Sequence, residues 1–353
     1  MNIMSFIIFI LIIGLIVLVH EFGHFIMAKK FGVYVFEFSI GMGPKLFSFK
    51  GKGGETTYSI RLLPFGGFVS MAGENDTEEL SKDIPKNRTL DNIKPFKKFC
   101  IMFAGVLNNF ILAFIIFFLI ALFKGSPSQK PIINGIELNS PAYKAGLMKN
   151  DVIERVNLEK VKTIEDVQIE MALSNGIKEN TLKDITLVVK RNNKLEFINL
   201  KAGNNKKYGF NFKEERNKGI IPSLTYAHNS LWTNIRSMKR TFKALVNKKI
   251  GMEAFSGPIG VYKAVDAGKK SSAGFLYLCY LTALISVNVA YINLLPLPIL
   301  DGGQILFLII EKFLNRPIKK EVKDVLMLIS TLLLISFALY VSGLDILKLR
   351  KIK

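Results

Sequence analysis

The stretch His20-Glu21-Phe22-Gly23-His24 lies inside an almost unbroken apolar run from Met4 to Ala28. A run of that length can cross a bilayer, which takes about 20 apolar residues. Ionisable groups at that depth are costly unless they are paired or hold a metal. On a helix, residues four apart project from one face, one turn apart. Two imidazoles so placed can bind one Zn²⁺ at about 2.0–2.1 Å. Glu21 lies beside them, where it can take a proton from water without being a ligand itself. The pattern makes two demands on the fold: a membrane helix, and water at a metal site within it.

Three further runs are long enough to span, Phe99–Phe123, Ala273–Leu297 and Val325–Leu344, with lysine-rich polar segments between the four. Reading the first run as a cleaved secretory signal fits poorly. It lacks a basic start, exceeds the apolar core of about 7–15 residues usual in such signals, and is followed by no small-x-small site. The formal net charge of +20 points to anionic lipid headgroups, since no nucleic-acid-binding motif accompanies it. The two cysteines, Cys100 and Cys279, both fall in apolar runs and imply neither a disulfide framework nor a thiolate metal site.

Charge sets an expected orientation. Lys29 and Lys30 follow the first run directly, and residues 29–98 hold twelve Lys/Arg against eight Asp/Glu. Lys312, Arg316, Lys319, Lys320 and Lys323 follow the third. Positive loops favour the cytosol. The N-terminus and residues 124–272 are therefore expected outside and residues 311–324 inside. The basic character of 124–272 and of the tail "KLRKIK" runs the other way, but long segments translocate largely regardless of charge.

A catalytic zinc usually keeps three protein ligands and one open position. Between Ala273 and Ile310 the one charged residue is Asp301, in "NLLPLPILDGGQ". Pro296 and Pro298 break a helix there, and Gly302 and Gly303 permit an unusual turn. Non-helical backbone at membrane depth is tolerated only where it is buried in protein or lines a wet cavity. With the expected orientation, the histidine pair and Asp301 both fall toward the cytosolic side.

Together, "HEFGH" in the first run and "NLLPLPILDGG" in a late one resemble the site-2 protease family of intramembrane zinc metalloproteases. "LLPFGGFVSMAGE" resembles that family's membrane-associated β-hairpin, "AGVLNNF" its second-span signature, and "FSGPIGV" the element before its third core span. Within the family the chain resembles the regulator of sigma-E proteases in a form with a single PDZ domain. The resemblance implies His20, His24 and Asp301 as zinc ligands, Glu21 as general base, and Asn109 and Asn293 as residues that hold substrate. Two positions depart from the family pattern: Val106 stands where the second-span proline is usual, and Gln304 where many relatives have histidine.

Residues 46–72 carry β-formers punctuated by glycines and read as β-hairpins. By the resemblance, an edge strand there pairs with an unwound substrate. "NGIELNSPAYKAGLMKNDVIERVN" resembles a PDZ core, with Asn150 at a turn where glycine is usual and left-handed φ is tolerated. "IEDVQIEMAL" fits an amphipathic helix and "DITLVVKRNNKLEFINL" a hairpin. Leu224, Leu231, Trp232, Ile235, Met238, Phe242 and Leu245 recur at mostly helical spacing, with Arg236, Lys239, Arg240 and Lys243 on the same helix. That suits an interfacial helix on anionic lipid. His228 reads as a surface residue.

The expected architecture is a polytopic α-helical membrane protein with four transmembrane helices, a membrane-associated β-hairpin region and one inserted α+β PDZ domain. Its parts are helix 1 (1–28), a β-hairpin loop (29–98), helix 2 (99–123), the PDZ domain (124–205), an amphipathic segment (206–272), helix 3 with the LDGG motif (273–310), a connector (311–324), and helix 4 with the tail (325–353). The expected activity is zinc-dependent hydrolysis of peptide bonds within or near the membrane segment of single-span proteins. By the resemblance these are an anti-sigma factor already trimmed by an upstream site-1-type protease, or signal-peptide remnants, in the bacterial inner membrane. Two other readings compete. A non-catalytic PDZ scaffold with a structural metal site needs a fourth ligand, for which the sequence offers no candidate. A metal transporter needs more intramembrane ionisable residues along a path.

Overall fold

The computed structural model describes residues 2–51, 53–74, 81–175, 182–202, 207–252, 255–271 and 273–350. The chain divides into two compact units, residues 1–113 with 256–353, and residues 114–255.

The first unit begins with α1 (Ile3–Lys30), capped by the Asn2 side chain on the Met4 N–H and closed by Lys29 and Lys30, whose charges suit the helix C-terminus. β1 (Val35–Lys50) and β2 (Thr57–Met71) follow. Each bends midway, so the pair makes four ribbons. Glu37 opposes both Thr57 and Ser70, and Ile40 opposes both Ile60 and Gly67, while residues 45–50 return along 57–61. Residues 67–71 are thus left at an edge. The bend before them needs Gly66, whose φ is +67° and whose missing Cβ makes room for Val17 of α1. Val33, Val35, Phe38, Val69, Met71, Ile101 and Met102 pack this sheet against α1 and the start of α2 (Pro95–Lys124).

α6 (Pro258–Lys270), α7 (Gly274–Asn293), α8 (Asp301–Leu314) and α9 (Lys320–Arg350) complete this unit. Asp345 of α9 accepts the N–H groups of Gly257 and Gly260, both at 2.9 Å, and so caps the start of α6. α6 braces the start of α1 through Ser5 Oγ, which donates to Asp266 at 2.7 Å. Ile12, Ile16, Val265 and Ile285 form a core where α1, α6 and α7 meet. Among the described residues, four helices, Ile3–Lys30, Pro95–Lys124, Gly274–Asn293 and Lys320–Leu347, are long and apolar enough to span a membrane. Lipid gives no hydrophobic drive for helices to associate, so small residues that permit close approach matter more. Gly23 is one: the Ala104 carbonyl occupies the space a Cβ there would need.

The segment 273–310 holds two helices, with the helix break expected at Pro296 and Pro298 realised as a non-helical crossing over 294–300. Groups freed there find side chains: Ser330 accepts from the Ile299 N–H at 3.2 Å, and Gln304 donates to the Pro298 carbonyl at 2.7 Å. Gly302 and Gly303 are not turn residues. They open α8, buried, with the Leu294 and Leu297 carbonyls pressed where side chains would be.

The second unit is a small α/β fold. An antiparallel sheet in the order β6 (Glu159–Lys160), β5 (Val152–Val156), β7 (Ile185–Arg191), β8 (Lys194–Leu200) is joined by α4 (Ile164–Asn175). Two short ladders accompany it, β4 (Ile133–Ile136) with β9 (Phe210–Phe212) and β3 (Ser126–Pro127) with β10 (Arg216–Asn217). The domain therefore extends past residue 205, the boundary expected from sequence. The β7–β8 turn is Asn192-Asn193, with φ of 48° and 64°, and Asn150 adopts φ 72°. Ile133, Val156, Leu187, Val189 and Leu200 are among its fully buried core.

α5 (Ile220–Val246) lies on this domain through Ala227, Ser230 and Thr233. Its cations were expected on lipid. Three of them instead face the domain's carboxylates: Arg236 and Arg240 grip Asp166, and Lys243 pairs with Glu159 at 2.7 Å. The Lys243 ammonium holds the Glu159 carboxyl below its usual range. Ile220, Ile221, Leu224 and Trp232 are exposed, as is His228 beside Trp232.

Candidate metal centre

α1 carries His20 and His24 inward, both buried, with their Nε2 atoms 3.2 Å apart. The crossing at 294–300 delivers Asp301 to them as the first residue of α8. Its Oδ2 lies 3.1 Å from His20 Nε2 and its Oδ1 3.5 Å from His24 Nε2. One ligand atom from each of the three residues lies within 4.8 Å of the others.

The arrangement passes a test for zinc. Two ligands held at about 2.0–2.1 Å on one tetrahedral ion lie roughly 3.3 Å apart, and the two Nε2 atoms at 3.2 Å fit this, with one Asp301 oxygen 3.1 Å from His20 and the other 3.5 Å from His24. The His24 Nδ1–H donates to the Ile101 carbonyl at 2.8 Å, so the His24 lone pair is on Nε2, aimed at the other two residues. Asp301 Oδ2 is buried and makes no aligned hydrogen bond. The His24 lone pair and the Asp301 carboxylate meet at one buried point, where a cation would satisfy both. Gly105 of α2 keeps the space clear, since a Cβ there would strike the rings of both histidines.

A cavity of about 340 Å³ opens onto these groups. Glu21, Asn293 and Glu74 line it together with the three candidate ligands. The backbone N–H of Val69, on the edge ribbon of β2, lies toward the Glu21 carboxylate, and both residues line the cavity. Two residues along the same edge, the Met71 N–H donates to Glu74 Oε2 at 2.8 Å. Glu21, beside the three candidate ligands, thus lies next to a strand edge that lines the cavity.

Five of the six residues singled out from sequence, His20, Glu21, His24, Asn293 and Asp301, share this cavity. Asn109 does not. It has no exposed surface and lies behind the His20 ring, with Nδ2 3.4 Å from Nδ1. The role of holding substrate, implied for it by resemblance, has no open surface to act through. The sequence reading missed the Ile101 carbonyl, the Val69 N–H and Gly105. The first two are backbone groups, which every residue type supplies alike. Gly105 did have a signal, a glycine within an apolar span.

Comparison with known proteins gives a consistent family. The model of the family described as Peptidase family M50 matches residues 8–337. The chain is 30% identical to the regulator of sigma-W protease RasP of Bacillus subtilis, across 97% of this chain and 98% of that one. It is 34% identical to a putative zinc metalloprotease of Clostridium acetobutylicum, across 91% of each. A putative zinc metalloprotease of Fusobacterium nucleatum is 33% identical, across 98% of this chain and 99% of the relative.

Proposed function

Because the chain belongs to peptidase family M50, the site-2 proteases, we propose that it is a membrane-embedded zinc endopeptidase whose working residues are His20, His24 and Asp301 as ligands and Glu21 as general base. The observation that carries this is the convergence of three ligand atoms and one further carboxylate on a single cavity among apolar helices.

When bound, zinc supplies Lewis acidity at the scissile carbonyl. The protein's own residues do the rest. His20, His24 and Asp301 hold the ion and leave one side open to the cavity. Glu21, beside the ligands on the same helix, takes the proton from the attacking water on its carboxylate and returns it to the leaving amine. A helix hides its peptide bonds, so the substrate must enter locally extended. The edge at residues 67–71 of β2 suits such a chain by strand addition, with Asn293 lining the same cavity. The hydrophobic surroundings keep other nucleophiles out, while the polar groups at the cavity wall let water in.

The substrates that suit this site are single-span membrane proteins, such as an anti-sigma factor after a first cut by another protease, or leftover signal peptides. Loop charge supports an orientation in the bacterial inner membrane with the site toward the cytosol and residues 124–255 outside. The second unit is read as a PDZ domain. Asn150 in left-handed conformation and a groove of about 530 Å³ lined by Ile164, Gln168 and Met171 of α4 and Phe210 and Phe212 of β9 support this.

The test is cleavage of tagged single-span substrates by purified protein in detergent, with bound zinc measured. Glu21→Gln is expected to retain about one zinc per chain and to lose cleavage by roughly 10²–10⁴-fold or more. Equal cleavage by both proteins would remove Glu21 as the base.

A further inference from the structure

The two candidate histidine ligands are supported differently from behind. The Nδ1–H of His24 donates to a main-chain carbonyl, Ile101 O, at 2.8 Å. Facing Nδ1 of His20 is a side-chain amide, Asn109, at 3.4 Å. That amide is fully buried, and its Oδ1 has no hydrogen-bond partner. Its backbone is pinned: the Asn109 carbonyl accepts from Ser286 Oγ of α7 at 2.8 Å. One residue earlier, Asn108 donates to the Val19 carbonyl at 3.2 Å, which ties α2 to α1 beside His20.

A neutral imidazole carries one proton. For His20 to offer its Nε2 lone pair to zinc, that proton must sit on Nδ1, so an acceptor must face it. The Nδ2 of Asn109 is a donor, and donor against donor repels. The amide's two ends are nearly the same shape, and turning it by 180° needs no extra room. Turned, the unpartnered Oδ1 meets the Nδ1–H.

We infer that Asn109 is a positioning residue for the metal, its Oδ1 accepting from His20 Nδ1–H in the zinc-loaded protein and so holding His20 in the tautomer and ring orientation that bind. It does for His20 what the Ile101 carbonyl does for His24. The metal-free tautomer, with the proton on Nε2, is served by the opposite amide orientation, so the same side chain suits both states. This inference rests on the metalloprotease reading of the site.

The experiment measures zinc affinity by chelator competition for full-length protein in detergent, and the visible spectrum of the cobalt-substituted site. Wild type is compared with Asn109→Leu, which keeps volume and loses the acceptor, and Asn109→Asp, which keeps an acceptor. Loss of a group that orients a ligand typically weakens metal binding 10–100-fold. Asn109→Leu is expected to show that loss with an altered cobalt spectrum, and Asn109→Asp to bind within a few-fold of wild type. Wild-type affinity in Asn109→Leu with a raised KM would overturn the inference and return Asn109 to substrate binding. Equal affinity losses in both variants, matched by equal falls in melting temperature, would reduce it to packing. A wild type that takes up no zinc would sink the metalloprotease reading itself, and this inference with it. Zinc in wild type with unchanged affinity in Asn109→Leu would sink this inference alone.

Discussion

Two buried aspartates in this chain have opposite surroundings. Asp166, in the second unit, has no exposed surface. It accepts from Arg236 at 2.8 Å, from Arg240 at 3.0 Å, and from the N–H groups of Lys162 and Thr163 at 3.0 and 3.2 Å. Every lone-pair direction is answered by a donor, two of them cationic. Asp301, in the first unit, faces two imidazoles, one with its lone pair pointing at the carboxylate, and its Oδ2 has no aligned donor. A buried charge whose partners cancel it is scaffolding. A buried charge that faces another acceptor's lone pair suits a cation between them. Burial alone does not separate the two cases; the polarity of the neighbours does.

The sharpest way to break this contrast is to remove each carboxylate. Asp301→Ala should empty the zinc site and abolish cleavage while leaving the unfolding temperature of the metal-free protein near that of metal-free wild type, as read by metal analysis and thermal melting. An intact zinc content would mean that Asp301 is not a ligand. Asp166→Ala should do the reverse. It strands two arginines beside a buried face, and breaking such a pair costs about 3–5 kcal/mol. Proteolysis within residues 114–255 should accelerate, with zinc content unchanged. Loss of zinc from Asp166→Ala would show that the two charges are not independent.

A smaller effect sharpens the description of the metal centre. Gly105→Ala places a methyl group against both imidazole rings. Overpacking of this kind costs typically 1–3 kcal/mol. Here it should appear chiefly as weaker zinc binding, because the rings are what must move. A shift in melting temperature with normal zinc affinity would place the strain elsewhere.

The smallest effect concerns a third carboxylate, Glu37 of the hairpin. Burial alone would raise its pKa, but hydrogen bonds from Ser59, Lys45 and Arg61 outweigh it and hold the carboxyl below its usual range. A folded pKa depressed in this way contributes stability that is present above the unfolded value of about 4.3 and is lost as pH falls through the lower folded value. The stability difference between wild type and Glu37→Gln should therefore be constant near neutral pH and shrink in acid below pH ~4. A difference that grows on acidification would contradict that assignment.

Much of this was legible in the chain. The four spans follow from apolar run length, the histidine pair from its four-residue spacing, and Asp301 from being the lone charge in its stretch. The β7–β8 hairpin follows from two adjacent asparagines. All of these are local, and each is set by a period or a composition that a few consecutive residues carry. The helix over 220–246 was legible too, but not its facing. Arg236 and Arg240 look like lipid-seeking cations until Asp166, about 70 residues earlier in the chain, is folded beneath them.

The sequence by itself determined that this chain has four runs long enough to cross a membrane and a histidine pair of metal-binding spacing inside the first, because apolar length and helical spacing are properties of neighbouring residues. Only the tertiary structure decided that residues 294–300 bring Asp301 onto that pair, that the edge of β2 lies along the same cavity as Glu21, and that Asn109 is buried behind His20. Those relations join residues far apart in the chain, several of them through main-chain groups that are the same at every position, and so they become visible only when the helices are packed.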